Sequence, residues 1–173
     1  MRENIPNARI ESVLFCCTGN IFRSMTAEYA LRRELQRRGL ALNVSSAGTD
    51  DFAQTVRPYV RDYLGSRGID VGTHERRTFT QALLDSTSLV IAMSVEHQHF
   101  IEARFQHRAP LFLALCGDAE SGTHALPDVN EAVPDYLTNQ TASEAHMRMT
   151  IDCILRVTPR LADRISAGDL QSV

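Results

Sequence analysis

Cys17 and Arg23 bracket the run Cys17-Thr18-Gly19-Asn20-Ile21-Phe22-Arg23, with Ser24 directly after it. A cysteine thiolate attacks phosphorus well, provided that positive potential keeps it ionised at neutral pH and something holds the phosphoryl oxygens. The intervening loop offers both. Its backbone N–H groups from Thr18 to Arg23 can converge as a nest, a following helix adds the positive end of its dipole, and Arg23 presents a planar fork to two oxygens. Gly19 and Asn20 tolerate the backbone angles such a nest requires, and Ser24 can donate a hydrogen bond to the thiolate. Phosphoryl transfer to cysteine is the chemistry that fits, and a cysteine-dependent phosphatase is the first hypothesis.

The elements around this loop read as alternating strands and helices. Residues 12–16 form a short apolar run that suits a central strand buried on both faces. From Ser24 the apolar positions Ala27, Ala30, Leu31 and Leu35 recur at helical spacing, with Gly39 placed to end the helix. Residues 40–46 predict a second strand and residues 89–92 a third, while residues 111–115 predict a fourth. Pro58 opens a helix closed by Gly68, Thr78-Phe79-Thr80-Gln81 has the form of a capping box, and Ser94 caps a helix running to about Phe105. Residues 117–140 read as one long loop, followed by a capping box at Thr141-Ala142-Ser143-Glu144 and a last helix in which Pro159 should cause a kink or a break. Strands alternating with helices imply a parallel sheet covered on both faces.

Length and composition narrow the class. A chain of 173 residues with 43% hydrophobic and 23% charged residues is expected to form one domain over 1–173, with residues 1–11 as an irregular lead-in. The formal net charge of −3 argues against a general nucleic-acid binder, and the clusters Arg32, Arg33, Arg37, Arg38 and Arg76, Arg77 read as solvated faces. The N-terminus lacks the apolar core of a secretory signal and no run has membrane-spanning length, so no membrane partner and a cytoplasmic placement are expected. Cys16, Cys17, Cys116 and Cys153 have no zinc-site spacing, so neither metal nor cofactor is expected, and Cys16 and Cys153 read as small core residues. The oligomeric state stays open.

The loop resembles the signature of the low-molecular-weight protein tyrosine phosphatase family, C-x-G-N-I-C-R-S. The resemblance continues in Met25-Thr26-Ala27-Glu28, in Ser45-Ser46-Ala47-Gly48-Thr49, in Gly68-Ile69-Asp70 with His74-Glu75-Arg76-Arg77, and in Ile91-Ala92-Met93. It implies a three-layer α/β sandwich with a four-stranded parallel sheet in the order 2-1-3-4. By the same resemblance Cys17 is the nucleophile and Arg23 the clamp. Thr18, Gly19, Asn20, Ile21, Phe22 and Ser24 cradle the phosphoryl group, Ser46 and His74 support the loop, and Phe52 walls the substrate ring. The family's aspartate-proline-aromatic motif is absent. Asp135, with Tyr136 after it as a further substrate contact, is the first choice of general acid, and Asp128 in Leu126-Pro127-Asp128-Val129 is the competitor.

The expected substrate is a phosphorylated protein or a small aryl phosphate. The apolar Ile21 favours phosphotyrosine, since relatives that act on phosphoarginine resemble this loop but have threonine there. An arsenate reductase needs two relay cysteines, which the segment after Met93 lacks. A non-catalytic phosphate-binding or phosphoprotein-binding module is the alternative of a different class. Phe22 stands where the family commonly has a second cysteine, and that removes the usual partner for a protective disulfide.

Overall fold

The computed structural model describes residues 9–117 and 125–170. Residues 1–8 of the expected lead-in and 118–124 of the expected long loop lie outside them. Strand β1 (Ser12–Cys17) runs between β2 (Asn43–Gly48) and β3 (Leu89–Ala92) in a parallel sheet of order β2-β1-β3. Ser12 pairs with Asn43 and Cys17 with Gly48 on one side, and Val13 with Leu89 and Cys16 with Ala92 on the other. The carboxyl ends of all three strands therefore meet at one edge, where the Cys17 loop begins. In open α/β sheets that edge is the ligand side.

Side chains alternate across β1 and so divide the core. Val13, Phe15 and Cys17 join the layer built with α1 (Arg23–Arg37) and α7 (Gln140–Ala167), whereas Leu14 and Cys16 join Phe79, Leu84 and Ile101 on the opposite face. That second face is covered by α3 (Gln81–Asp85) and α4 (Val95–Phe105). A third cluster holds α2 (Pro58–Ser66) against Met25 of α1 and Met147 and Ile151 of α7. Pro58 stands in the first turn of α2, where its missing N–H costs nothing, and Gly39 takes φ +65° just past α1.

Three expectations need correction. The fourth strand is not formed among the described residues. Leu111 makes a single parallel bridge to Ala92, Ala92 N–H donates to the Pro110 carbonyl at 2.9 Å, and the chain then turns into the short helix α5 (Phe112–Leu115). An apolar run of that length suits a buried helical turn as well as a strand, and here the turn buries Phe112 against Phe15, ring centroids 5.9 Å apart. The expected long loop contains a further turn of helix, α6 (Val129–Ala132). Pro159 does not break α7, which continues to Ala167, and its carbonyl instead accepts from Arg38 at 3.1 Å.

Two helix caps lie beside their expected positions. Thr80, rather than Thr78, caps α3 through Leu83 N–H, because Thr78 is taken up in a parallel bridge with Gly48. Asn139, ahead of Thr141, caps α7 through Ala142 N–H.

Candidate active site

The loop after β1 is held by a network of side-chain hydrogen bonds. Asn20 sits at φ 56°, the left-handed region that asparagine tolerates, and is fully buried. Its amide donates to Ser46 Oγ at 2.6 Å and Ser24 Oγ at 3.1 Å, and its Oδ1 accepts from Arg77 N–H at 2.9 Å. Ser46 donates its hydroxyl to the buried carboxylate of Glu28, which Arg32 neutralises at 2.6 Å. Ser24, already accepting from Asn20, has its proton left for Cys17 Sγ, 2.9 Å away. His74 Nε2 donates to the Asn20 carbonyl at 2.7 Å, and Arg76 donates to the carbonyls of Gly19 at 3.1 Å and Asp50 at 2.5 Å. With loop carbonyls drawn outward, the loop N–H groups are left for an anion.

Gly48 is needed where β2 ends beside this loop. A Cβ there would lie 2.5 Å from the Thr18 carbonyl oxygen. The close approach holds β2 to the loop, with Thr49 N–H donating to the Cys17 carbonyl at 2.8 Å.

Arg23 enters from the first residue of α1 and is 1% exposed. Its guanidinium donates to Asp128 Oδ2 at 2.8 Å, to the Leu126 carbonyl at 2.8 Å and to Thr18 Oγ1 at 3.3 Å, and Glu96 lies 3.7 Å away. Asp128 is the N-cap of α6, accepting from Val129 N–H at 2.7 Å, while Glu131 reaches back to the Asp128 N–H at 3.2 Å. This reciprocal box fixes the carboxylate's angle. His146 of α7 donates to the Pro127 carbonyl at 3.0 Å and holds the same segment from behind.

His97, 1% exposed, lies on the other side of Thr18, 2.9 Å from its hydroxyl. Burial, and then the neighbouring Arg23 charge, push its pKa down to about 4 against the opposing pull of Glu96 and Asp128. Glu96 is raised by burial, but its bonds from Ser94 and its own backbone, with the charges of His97 and Arg23, bring it below the usual carboxylate range. Burial, then the neighbouring Cys17, push the Cys16 thiol well up despite the nearby Arg23.

Cys17, Thr18, Arg23 and Asp128 open onto a cavity of about 330 Å³. Cys17, Thr18, Gly19 and Arg23 form its base, Ile21, Phe22, Val129, Tyr136 and Met147 its apolar walls, and Asp50, Gln54, Arg57, Asp128 and Asn130 its polar rim. A tetrahedral anion on the base, an apolar group between the walls and a proton donor at the rim is the combination that this arrangement accommodates.

A sequence model of the family "low molecular weight phosphotyrosine protein phosphatase" matches residues 12–167. The chain belongs to this family. The protein-arginine-phosphatase of Bacillus subtilis is 34% identical over 96 residues, 54% of this chain and 62% of that protein. The low molecular weight protein-tyrosine phosphatase A of Mycobacterium tuberculosis is 30% identical over 118 residues, 66% of this chain and 71% of that protein. Among solved structures, the YwlE mutant from Bacillus subtilis superposes with a TM-score of 0.66 at 25% identity, covering 90% of this chain and 98% of that one. A protein tyrosine phosphatase from Entamoeba histolytica, at 22% identity and covering 92% and 99%, shares the fold with a TM-score of 0.76.

Within this member of the phosphatase family, Cys17, Thr18, Gly19, Ile21, Phe22 and Arg23 line one cavity, whereas Asn20 is buried away from it and, with Ser24, Ser46 and His74, supports the loop. Tyr136 lines the cavity. Asp135 and Phe52 do not. The Asp135 carboxylate accepts from Asn139 at 3.0 Å in the turn before α7, and Phe52 stands 72% exposed, away from the apolar walls. Arg76, expected on a solvated face, clamps the loop instead. Glu28, Gln54 and His97 were not singled out. Glu28 is the acid that falls among the buried positions Ala27, Leu31 and Leu35 of α1, and a buried carboxylate needs a partner.

Proposed function

We propose that this protein is a cysteine-dependent phosphatase that hydrolyses aryl phosphate monoesters, phosphotyrosine foremost, through a phosphocysteine intermediate. The observation that carries the reading is Cys17 Sγ at 2.9 Å from the Ser24 hydroxyl, in a cavity that Arg23 of the same loop and Asp128 at the start of α6 also line. The Cys17 thiolate attacks phosphorus in line, and the phosphorus–oxygen bond to the substrate breaks with its electron pair passing to the phenolic oxygen. Arg23 and the loop N–H groups hold the three equatorial oxygens, and the phosphoryl group displaces Asp128 from the guanidinium. Released from the guanidinium, Asp128 takes a proton from solvent and gives it to the leaving oxygen. In the second step the Asp128 carboxylate takes a proton from water as that water attacks phosphorus, and the sulfur–phosphorus bond breaks to release phosphate and restore the thiolate.

Asp128 is preferred to Asp135 because it lines the cavity next to Arg23, whereas Asp135 is committed to a turn outside it. Asp128→Asn should lower kcat on an aryl phosphate by about 10²–10⁴-fold. Asp135→Asn should leave it within about twofold, the usual result for a surface change that touches no reacting group. If the two variants behave in the reverse order, the acid is Asp135. Cys17→Ser should abolish turnover and keep phosphate affinity.

Ile21, Phe22, Val129 and Tyr136 support an aromatic leaving group. A second reading, phosphoarginine, is favoured by the relative named for that activity and by Asp50 and Asp128 on the cavity rim, two carboxylates suited to a guanidinium. Competing phosphotyrosine and phosphoarginine peptides in one assay separates the two, and the higher kcat/KM is expected for phosphotyrosine.

A further inference from the structure

The cavity that holds Cys17 does not end at its apolar walls. Arg57, Tyr136 and Met147 line it and also line a second depression, of about 530 Å³, between the start of α2 and the start of α7. Past these shared residues the groove is walled by Pro58 and Tyr59 of α2 and by Leu137 in the turn before α7. Leu137 is 82% exposed, more than any other large hydrophobic side chain among the described residues. Leucine, proline, methionine and two tyrosines along one groove make a continuous apolar strip rather than a lone exposed side chain, and such a strip marks a place where something docks.

The groove is already formed. Tyr59 stacks on Tyr63 with ring centroids 6.0 Å apart, and the Tyr63 hydroxyl donates to Asp152 of α7 at 2.9 Å. The Ser143 hydroxyl donates to the Tyr136 carbonyl at 3.1 Å and so holds the turn that carries Leu137. The charged groups at the rim fall into two kinds. Asp62 is paired with Arg61 at 2.9 Å and Glu144 accepts from Gln140 at 2.7 Å, whereas the Arg57 guanidinium has no hydrogen-bond or ion-pair partner among the described residues. An unpaired donor therefore stands on the boundary between the cavity and the groove.

Continuity with the cavity decides the occupant. A small aryl phosphate ends at its ring, which the walls of the first cavity already take, and it has no atoms left for the groove. In an extended polypeptide, alternate side chains point to the same side about 7 Å apart, so a phosphotyrosine entering the cavity brings the residue two positions away to the neighbouring depression. We propose that the groove is a subsite for a polypeptide substrate, in which Leu137 and Tyr59 receive an apolar side chain two residues from the phosphotyrosine and Arg57 donates to a peptide carbonyl between them. Its effect on turnover rests on the phosphatase reading, while its effect on peptide binding does not.

The test sets a phosphotyrosine peptide flanked by alanines against the same peptide with leucine two residues before, or two residues after, the phosphotyrosine. The three are compared by kcat/KM in the parent and in Leu137→Asp, with p-nitrophenyl phosphate as the substrate too small to reach the groove, and by Kd in Cys17→Ser. One leucine peptide should exceed the alanine peptide by about 10-fold or more in kcat/KM and in affinity. Leu137→Asp should bring that ratio close to one and leave p-nitrophenyl phosphate within about twofold of the parent. Equal values for the three peptides, a ratio unchanged in Leu137→Asp, or hydrolysis of p-nitrophenyl phosphate with none of any peptide overturns the proposal. If the parent hydrolyses neither ester nor peptide, the phosphatase reading fails, and the order of peptide affinities still decides the groove. Should Leu137→Asp not fold, the three peptides in the parent decide alone.

Discussion

Asn20, Ser24 and Ser46 show why a motif of small polar residues can hold a reactive thiol. Each hydroxyl accepts one bond from the Asn20 amide, so the protons of Ser24 and Ser46 are directed at Cys17 and Glu28. Asn20→Ala removes both donors and places a residue with no compensating side chain at φ 56°. It should cost about 2–4 kcal/mol in stability and most of the activity, measured by urea unfolding and by turnover. His97 gives a pH prediction at the same scale. Above pH 6.5 the imidazole is neutral in both folded and unfolded chains. As the pH falls below 6.5 the unfolded ring takes up a proton, while the folded one stays neutral until about pH 4. The unfolded state then binds more protons, so stability falls between pH 6.5 and 4, by about 3 kcal/mol in all. Urea unfolding across that window in the parent and in His97→Gln checks it, and the variant should lose most of the slope.

At the scale of elements, the site is where the carboxyl ends of β1, β2 and β3 meet, and the contact of β2 with the loop is the tightest part. Gly48→Ala pushes a Cβ to within 2.5 Å of the Thr18 carbonyl. Backbone must move to relieve it, so phosphate affinity should fall about tenfold or more even if the fold survives, as titration with inorganic phosphate will show. The strand, loop and first helix were legible because an apolar run, a polar loop and a 3.6-residue stripe follow one another without ambiguity. The run at Leu111–Leu115 carried no such signal, since apolar side chains at every position serve a strand or a buried turn equally. The acid we propose was hidden for a different reason. Asp135 has the aromatic neighbour, but the property that matters is distance to Arg23, and only the folding of α6 against the loop brings Asp128 there. His97 was equally illegible: its contact with Thr18 joins residues far apart in sequence, and its burial depends on how the start of α4 packs.

For the whole molecule, the catalytic loop and α7 are joined through α1, whose buried face includes Leu31 and Leu35 and whose last turn is tied to α7 by Arg38 with Asp163 at 2.7 Å. Ile154 of α7 is fully buried in that layer. Ile154→Ala should cost about 2–5 kcal/mol by urea unfolding and leave KM unchanged, because the residue touches no wall of the cavity. The division of the core across the sheet also bears on redox behaviour. Cys16 and Cys17 point to opposite faces, so the adjacent thiols are not placed to join. Peroxide should therefore inactivate the enzyme at Cys17 with no Cys16–Cys17 disulfide in the non-reduced peptide map. Finding that disulfide, with activity regained on mild thiol, would contradict this.

The most direct test is hydrolysis of p-nitrophenyl phosphate across pH by the parent and by Cys17→Ser, with peptide mass analysis of the acid-quenched parent. The account predicts turnover with an acidic optimum, a phosphoryl group on the peptide that contains Cys17, and no turnover by a variant that still binds inorganic phosphate. Hydrolysis by Cys17→Ser at the parental rate would contradict it.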